Sequence, residues 1–140
     1  MRSSEFIWHS VASDSNMAGI KRFEEILAWQ KARELVGETY RVCGIPPFSR
    51  DFGLRDQICR AAVSSMTNVA EGFGRKSSRD FAHFLDVARG STLEVQSLLY
   101  VARDLNYLQS TEFEKLYKIA EETISLIAGF TSYLRNQPQR

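Results

Sequence analysis

The stretch NVAEGFGRKSSRDF, residues 68–81, decides how this chain folds. It holds two glycines, two adjacent cations and two serines, with apolar pattern on both sides. It reads either as a phosphate-gripping loop or as the corner between two helices. A P-loop requires GxxxxGK followed by Ser or Thr, after a strand. Here Lys76 follows Arg75 rather than Gly, and no Gly stands at the upstream position. A dinucleotide fingerprint requires GxGxxG, but Gly72 and Gly74 are followed by Ser77 at the third position. Both loops also need a preceding strand, and the residues before Gly72 carry helical spacing instead. What remains is a helix C-cap at Gly72, a tight glycine corner, and Ser77 or Ser78 as the next N-cap.

Working outward from that corner, the chain reads as four helices. The second spans about 51–71, with Leu54, Ile58, Ala61, Ala62, Ser65 and Val69 on its apolar face. The third spans about 78–105, with Phe81, Phe84, Leu85, Ala88, Thr92, Val95, Leu99 and Ala102 at spacings of three and four. Asp80 in its first turn faces the positive end of the helix dipole. The first spans about 22–43 with Ala28, Ala32, Leu35, Thr39 and Val42 inward, and Gly44 with Pro46–Pro47 ends it. The fourth spans about 111–135. Phe113, Leu116, Ala120, Thr123, Ile127, Phe130 and Leu134 form a coiled-coil-like seam, and Thr111 with Glu114 fits a capping box. No segment alternates with period two. The fold class expected is all-α, an antiparallel up-and-down four-helix bundle over residues 17–140. Residues 1–16 have no helical period and are expected to be an extension, a tag or an upstream start.

The bulk numbers fit one globular domain: 140 residues, 44% hydrophobic, 25% charged and a formal net charge of +1. Whole-chain charge therefore gives no pull toward nucleic acid or membrane. No apolar run approaches the ~20 residues that span a bilayer. Cys43 and Cys59 lie inside predicted helices, without a CxxC or Cys/His cluster, and read as small buried hydrophobes in a reducing cytoplasm. No metal, cofactor or small-molecule substrate is expected.

A polar stripe remains to be explained. On a wheel of about 100° per residue, Gln57, Arg60, Ser64, Asn68 and Glu71 fall within about 80° of one another on helix two. A solvated face usually carries more Lys and Glu. Short hydrogen-bonding residues beside an alanine-rich face suit the close approach of another helix. Arg89-Gly90-Ser91 lies mid-helix in helix three with Glu94 one turn on, and a mid-helix Gly costs roughly 1 kcal/mol against Ala, which calls for a packing reason. The expectation is a polar, tightly packed seam between helices two and three, or between subunits, its carboxylates partnered by Arg60 or Arg75. Trp29 lies off the main stripe of helix one, and a large aromatic outside the core points to a subunit interface.

Three blocks carry a family resemblance. They are LAWQKARELV (27–36), LRDQICRAAVSSMTNVAEGFGR (54–75) and FLDVARGSTLEVQSLL (84–99). Together they resemble the bacterial four-helix bundle proteins encoded in intervening sequences of 23S ribosomal RNA genes, over about residues 22–135. The resemblance implies a ring-like homopentamer with no known catalytic activity. It extends to the accessory variability proteins of diversity-generating retroelements, which are basic and are thought to engage nucleic acid and a reverse transcriptase. This chain departs from those in being nearly neutral.

Three functions compete on the residues. The first is an oligomeric interaction scaffold, associated with ribosomal RNA or another nucleic acid, or with a nucleic-acid-processing protein, through Arg55, Arg75, Lys76 and Arg79. Residues 44–77 hold five cations against three acids, a net of +2 that a ring would repeat. Its variant is a protein-only interaction module. The second is a bundle enzyme with a carboxylate site at Glu71 and Glu94, but Glu-x-x-His metal motifs are absent, since Asp80 stands three before His83. The third is a membrane-surface or partner-helix binder, but a bundle core already explains the amphipathic helices and no face is rich in Lys with exposed aromatics. The interface residues singled out are Trp29, Arg60, Ser64, Asn68, Glu71, Gly90 and Glu94, with the chain itself as first partner.

Overall fold

The computed structural model describes residues 19–137, and the segment expected to be an extension lies outside them. Four helices follow one another: α1 (Leu27–Cys43), α2 (Phe52–Phe73), α3 (Ser78–Asp104) and α4 (Ser110–Arg135). No strand occurs among the described residues. Short corners make successive helices antiparallel, and α1 packs on α2, α2 on α3, α3 on α4 and α4 on α1. This is the up-and-down bundle that the apolar periodicities predict.

Helix ends show where local chemistry agrees with the pattern. Asp51 caps α2 by accepting from the Leu54 amide at 3.2 Å. Ser77 caps α3 by accepting from Asp80 at 3.1 Å. Three expectations need correction. Helix one does not start at Arg22: Phe23–Glu25 form a 3-10 turn, and Ile26, buried and extended, separates it from α1. Gly72 does not end α2, which runs on to Phe73 with Gly74 as C-cap. The capping box on helix four does not form, because α4 starts one residue earlier and its N-cap, Gln109, makes no side-chain bond.

The core has two apolar clusters. One, at the corner between α1 and α2, gathers Leu35, Val42, Phe48, Ile58, Leu99 and Leu116. The other, at the corner between α2 and α3, gathers Ile26, Trp29, Val69, Phe81, Leu85 and Phe130. Near mid-length, α2, α3 and α4 each contribute a buried hydroxyl: Ser65, Thr92 and Thr123. Each is satisfied by a carbonyl of its own helix, at Ala62, Ala88 and Ile119 respectively. Far from the α2–α3 corner, Tyr107 stacks on Phe48 at 5.2 Å and donates its hydroxyl to Asp51 at 2.9 Å. The α3–α4 corner is thereby tied to the start of α2.

Candidate functional site

The α2–α3 seam is polar at its centre. The Ser64 and Ser91 hydroxyls meet across it at 2.8 Å. Asn68 leans back along α2 and donates its amide to the Ser64 carbonyl at 2.9 Å and to the Ser64 hydroxyl at 3.0 Å. The result is a short chain from Asn68 through Ser64 to Ser91. One step toward the other end, Gln57 donates to the Glu94 carboxylate at 3.3 Å. Small hydroxyls at the contact let the two backbones approach, and each polar group there finds a partner.

The charged members of the stripe behave differently. Arg60 and Glu71 are exposed, and among the described residues neither makes an ion pair or side-chain hydrogen bond. The expectation that Arg60 or Arg75 partners the carboxylates is therefore corrected: Glu94 is answered by Gln57, and Arg75 lays its guanidinium over the Phe84 ring at 4.4 Å. Glu71 and Glu94 form no carboxylate pair either. They lie on opposite sides of the Ser64–Ser91 contact, roughly 15 Å apart along the bundle at 1.5 Å per residue.

The two glycines exchange roles. Gly90 has no packing reason within the chain: a Cβ added there meets nothing within 4 Å. Gly72 has one, since its added Cβ would stand 2.7 Å from Phe81 Cδ1 and 2.9 Å from Phe84 Cβ. Both residues belong to the first turns of α3, and the missing side chain lets the Phe81 ring and the Phe84 Cβ lie directly on α2. The stop-signal reading of glycine hid this packing role, and the two phenylalanines following at helical spacing were the available signal.

Trp29 is also corrected. It is only 8% exposed, with Phe23 edge-on to its ring at 5.2 Å. The extended Ile26 folds the preceding turn back over α1, so the first residues cover the edge of the stripe where Trp29 sits. A wheel drawn for a continuous helix from Arg22 cannot show that cover.

The four cations proposed for phosphate contact fall into two places. Arg75, Lys76 and Arg79 are exposed at the α2–α3 corner. Arg55 is about 30 Å away along α2. There it stacks on Phe52 at 4.8 Å, donates to the Ser49 carbonyl at 3.0 Å and pairs with Asp56 at 3.3 Å. It acts as a brace for the α1–α2 corner.

An open groove of about 740 Å³ lies between α1 and α2, bordered by Tyr40, Arg55, Asp56 and Arg60, with Cys43 and Cys59 at its base. Burial pushes both thiols up, and their proximity pushes Cys43 further. They stay protonated and so lack the thiolate a nucleophile needs. His83 is exposed, its ring edge-on to Phe84 at 5.9 Å. Among the described residues no three His, Cys, Asp or Glu side chains converge as metal ligands, and no helix is long and apolar enough to cross a membrane.

Comparison with known proteins agrees with this architecture. A solved structure of a protein of unknown function from the S23 ribosomal protein family of Bacteroides thetaiotaomicron VPI-5482 superposes with a TM-score of 0.71 at 19% identity, covering 76% of this chain and 96% of that one. At that identity the likeness speaks for the fold. No curated protein matches the chain. The family model described as 23S rRNA-intervening sequence protein matches residues 24–129, most of the described bundle, and the chain belongs to that family.

Proposed function

We propose that this chain is a non-catalytic, self-associating bundle that works in the cytoplasm as an interaction scaffold, its first partner being another copy of itself. One observation carries the reading. On the α2–α3 face Arg60 and Glu71 stand without an ion pair or side-chain hydrogen bond within the chain, whereas three ion pairs join α1 to α4. The family resemblance supports a ring of five chains. Protonated thiols and separated carboxylates support the absence of catalysis. The corner cations Arg75, Lys76 and Arg79 are the surface offered to RNA, and repetition around a ring would multiply a modest local excess.

Light scattering tests the assembly. An oligomer at micromolar concentration is expected, and a clean monomer would remove the scaffold. RNA binding is read separately: affinity for a generic RNA is expected at 50 mM salt and is lost as salt rises. Absence of binding at that salt leaves the protein-only module as the function.

A further inference from the structure

Two glycines stand in the middle of helices with nothing to pack on. Gly37 in α1 and Gly90 in α3 are both exposed, and a Cβ added to either meets nothing within 4 Å. Each gives up helix stability that alanine would supply, so each calls for a contact outside the chain. At about 100° per residue, both point directly away from the buried stripes of their own helices. α1 and α3 lie on the diagonal of the bundle, since each packs on α2 and α4. The two glycines therefore look out from opposite edges of the molecule.

We infer that these edges are the two halves of one head-to-tail contact, in which α1 of one copy lies along α3 of the next with Gly37 against the partner's Gly90. With no side chain on either helix at the crossing, the backbones approach at the near end of the usual 8–10 Å range. Charge selects a second copy as the occupant. The outer line of α3 from His83 to Leu105 carries Asp86, Glu94 and Asp104 and no cation. Among these acids stand Val87, Leu93, Val101 and Leu105, each 41–49% exposed. The outer line of α1 offers Arg33 and Tyr40 beside Gly37. Arg33 has no carboxylate partner among the described residues and touches only the Trp29 ring, at 5.7 Å. It lies one turn before Gly37, as Asp86 lies one turn before Gly90, and so reaches the partner's Asp86. Arg135 occupies only Oδ2 of that carboxylate within its own chain. Tyr40, 53% exposed, comes level with the partner's Leu93 and Glu94. Glu34 and Arg41 are already paired within the chain and take no part.

The helices run parallel in this contact. Rotation about an axis along the bundle preserves direction, and α1 and α3 already run the same way. A contact between unlike faces repeats from copy to copy and closes into a ring when the two edges lean to one side. Both lean toward α2: Tyr40 borders the groove between α1 and α2, and Glu94 accepts from Gln57 of α2. Arg60 and Glu71 then turn toward the inside of the ring, where every copy adds to the same charged lining. The contact rests on the self-association proposed above, specifies its two faces, and accommodates a ring of five.

Blocking one edge at a time tests this, read by sedimentation of the full chain, with circular dichroism checking that each variant folds. G37W fills the α1 edge and G90W the α3 edge, and each alone is expected to be a monomer. Mixed, they keep one good edge apiece and should form a heterodimer that grows no further. Gly90→Ala should weaken association at least about threefold while the fold itself grows more stable, a split that a purely structural glycine would not show. R33D and D86R should each weaken association about tenfold at low salt, and the double variant R33D/D86R should recover the wild-type mass. Tryptophan variants that keep the wild-type mass, or a mixture that stays monomeric, overturn the α1–α3 contact while leaving self-association standing. A wild-type monomer overturns both and leaves the two glycine edges to a helix of another protein.

Discussion

The two long sides of the bundle treat charge in opposite ways. Across α1 and α4, Lys31 reaches Glu122 at 3.3 Å, Arg41 reaches Glu112 at 2.8 Å, and Lys115 reaches Glu38 at 3.1 Å. Among the described residues no ion pair crosses α2 and α3; hydroxyls and amides hold that seam, and Arg60 and Glu71 beside it are exposed without a partner. Exposed ion pairs contribute little to stability, typically under about 1 kcal/mol. Their arrangement is informative for another reason. Charges paired across α1 and α4 have little to offer a protein partner, while unanswered ones such as Arg60 and Glu71 beside a close-packed seam have both geometry and specificity to offer.

The largest effect should come from the α2–α3 side. Replacing Gly72 by Ala drives a methyl into the Phe81 ring and the Phe84 Cβ, and should cost about 3 kcal/mol in urea unfolding. Gly90→Ala on the same side fills empty space and should instead gain about 0.5–1 kcal/mol. Equal effects at the two glycines would mean that the helices do not meet at Gly72 as described. Next comes the hydroxyl pair. A double-mutant cycle with Ser64→Ala and Ser91→Ala should yield a coupling of about 1 kcal/mol, because one hydroxyl left alone in the seam loses its partner. A coupling near zero would show that water, not the opposite helix, satisfies these groups.

The smallest effect belongs to the α1–α4 side and appears with pH. Hydrogen bonds from Arg41 hold the Glu38 and Glu112 carboxyls below the ordinary carboxylate range, with Lys115 adding to both. A depressed folded-state pKa contributes stability above the unfolded value of about 4.3 and loses it as pH falls through the folded value. The urea midpoint should therefore drop modestly below pH 4. Arg41→Ala and high salt should both blunt that drop, and an acid dependence unchanged by either would place its origin elsewhere.

Much of the bundle was legible in its residues because burial of a helical stripe depends on period alone. Every inward position named for α1 is buried, from Ala28 to Val42. The Ser77 cap was legible too, since a serine before an acidic first turn has one dominant use. What failed depended on contacts between segments distant in the wheel picture. Trp29 is covered by a turn that interrupts the helix. Gly72 has the usual identity of a helix terminator, and only the packed position of Phe81 reveals its other use. The stripe on α2 was legible as polar and as matched to α3, but the period could not separate the hydroxyls that meet α3 from the charges that face away.

Gly72 has one more consequence. Because the Phe81 ring and the Phe84 Cβ rest on the α2 backbone there, and Arg75 lies over the Phe84 ring, one cation of the corner is mounted on a packed bracket. A guanidinium already held in place has little freedom left to lose, so, on the proposal that this corner meets RNA, Arg75 would bind phosphate at a small entropic cost.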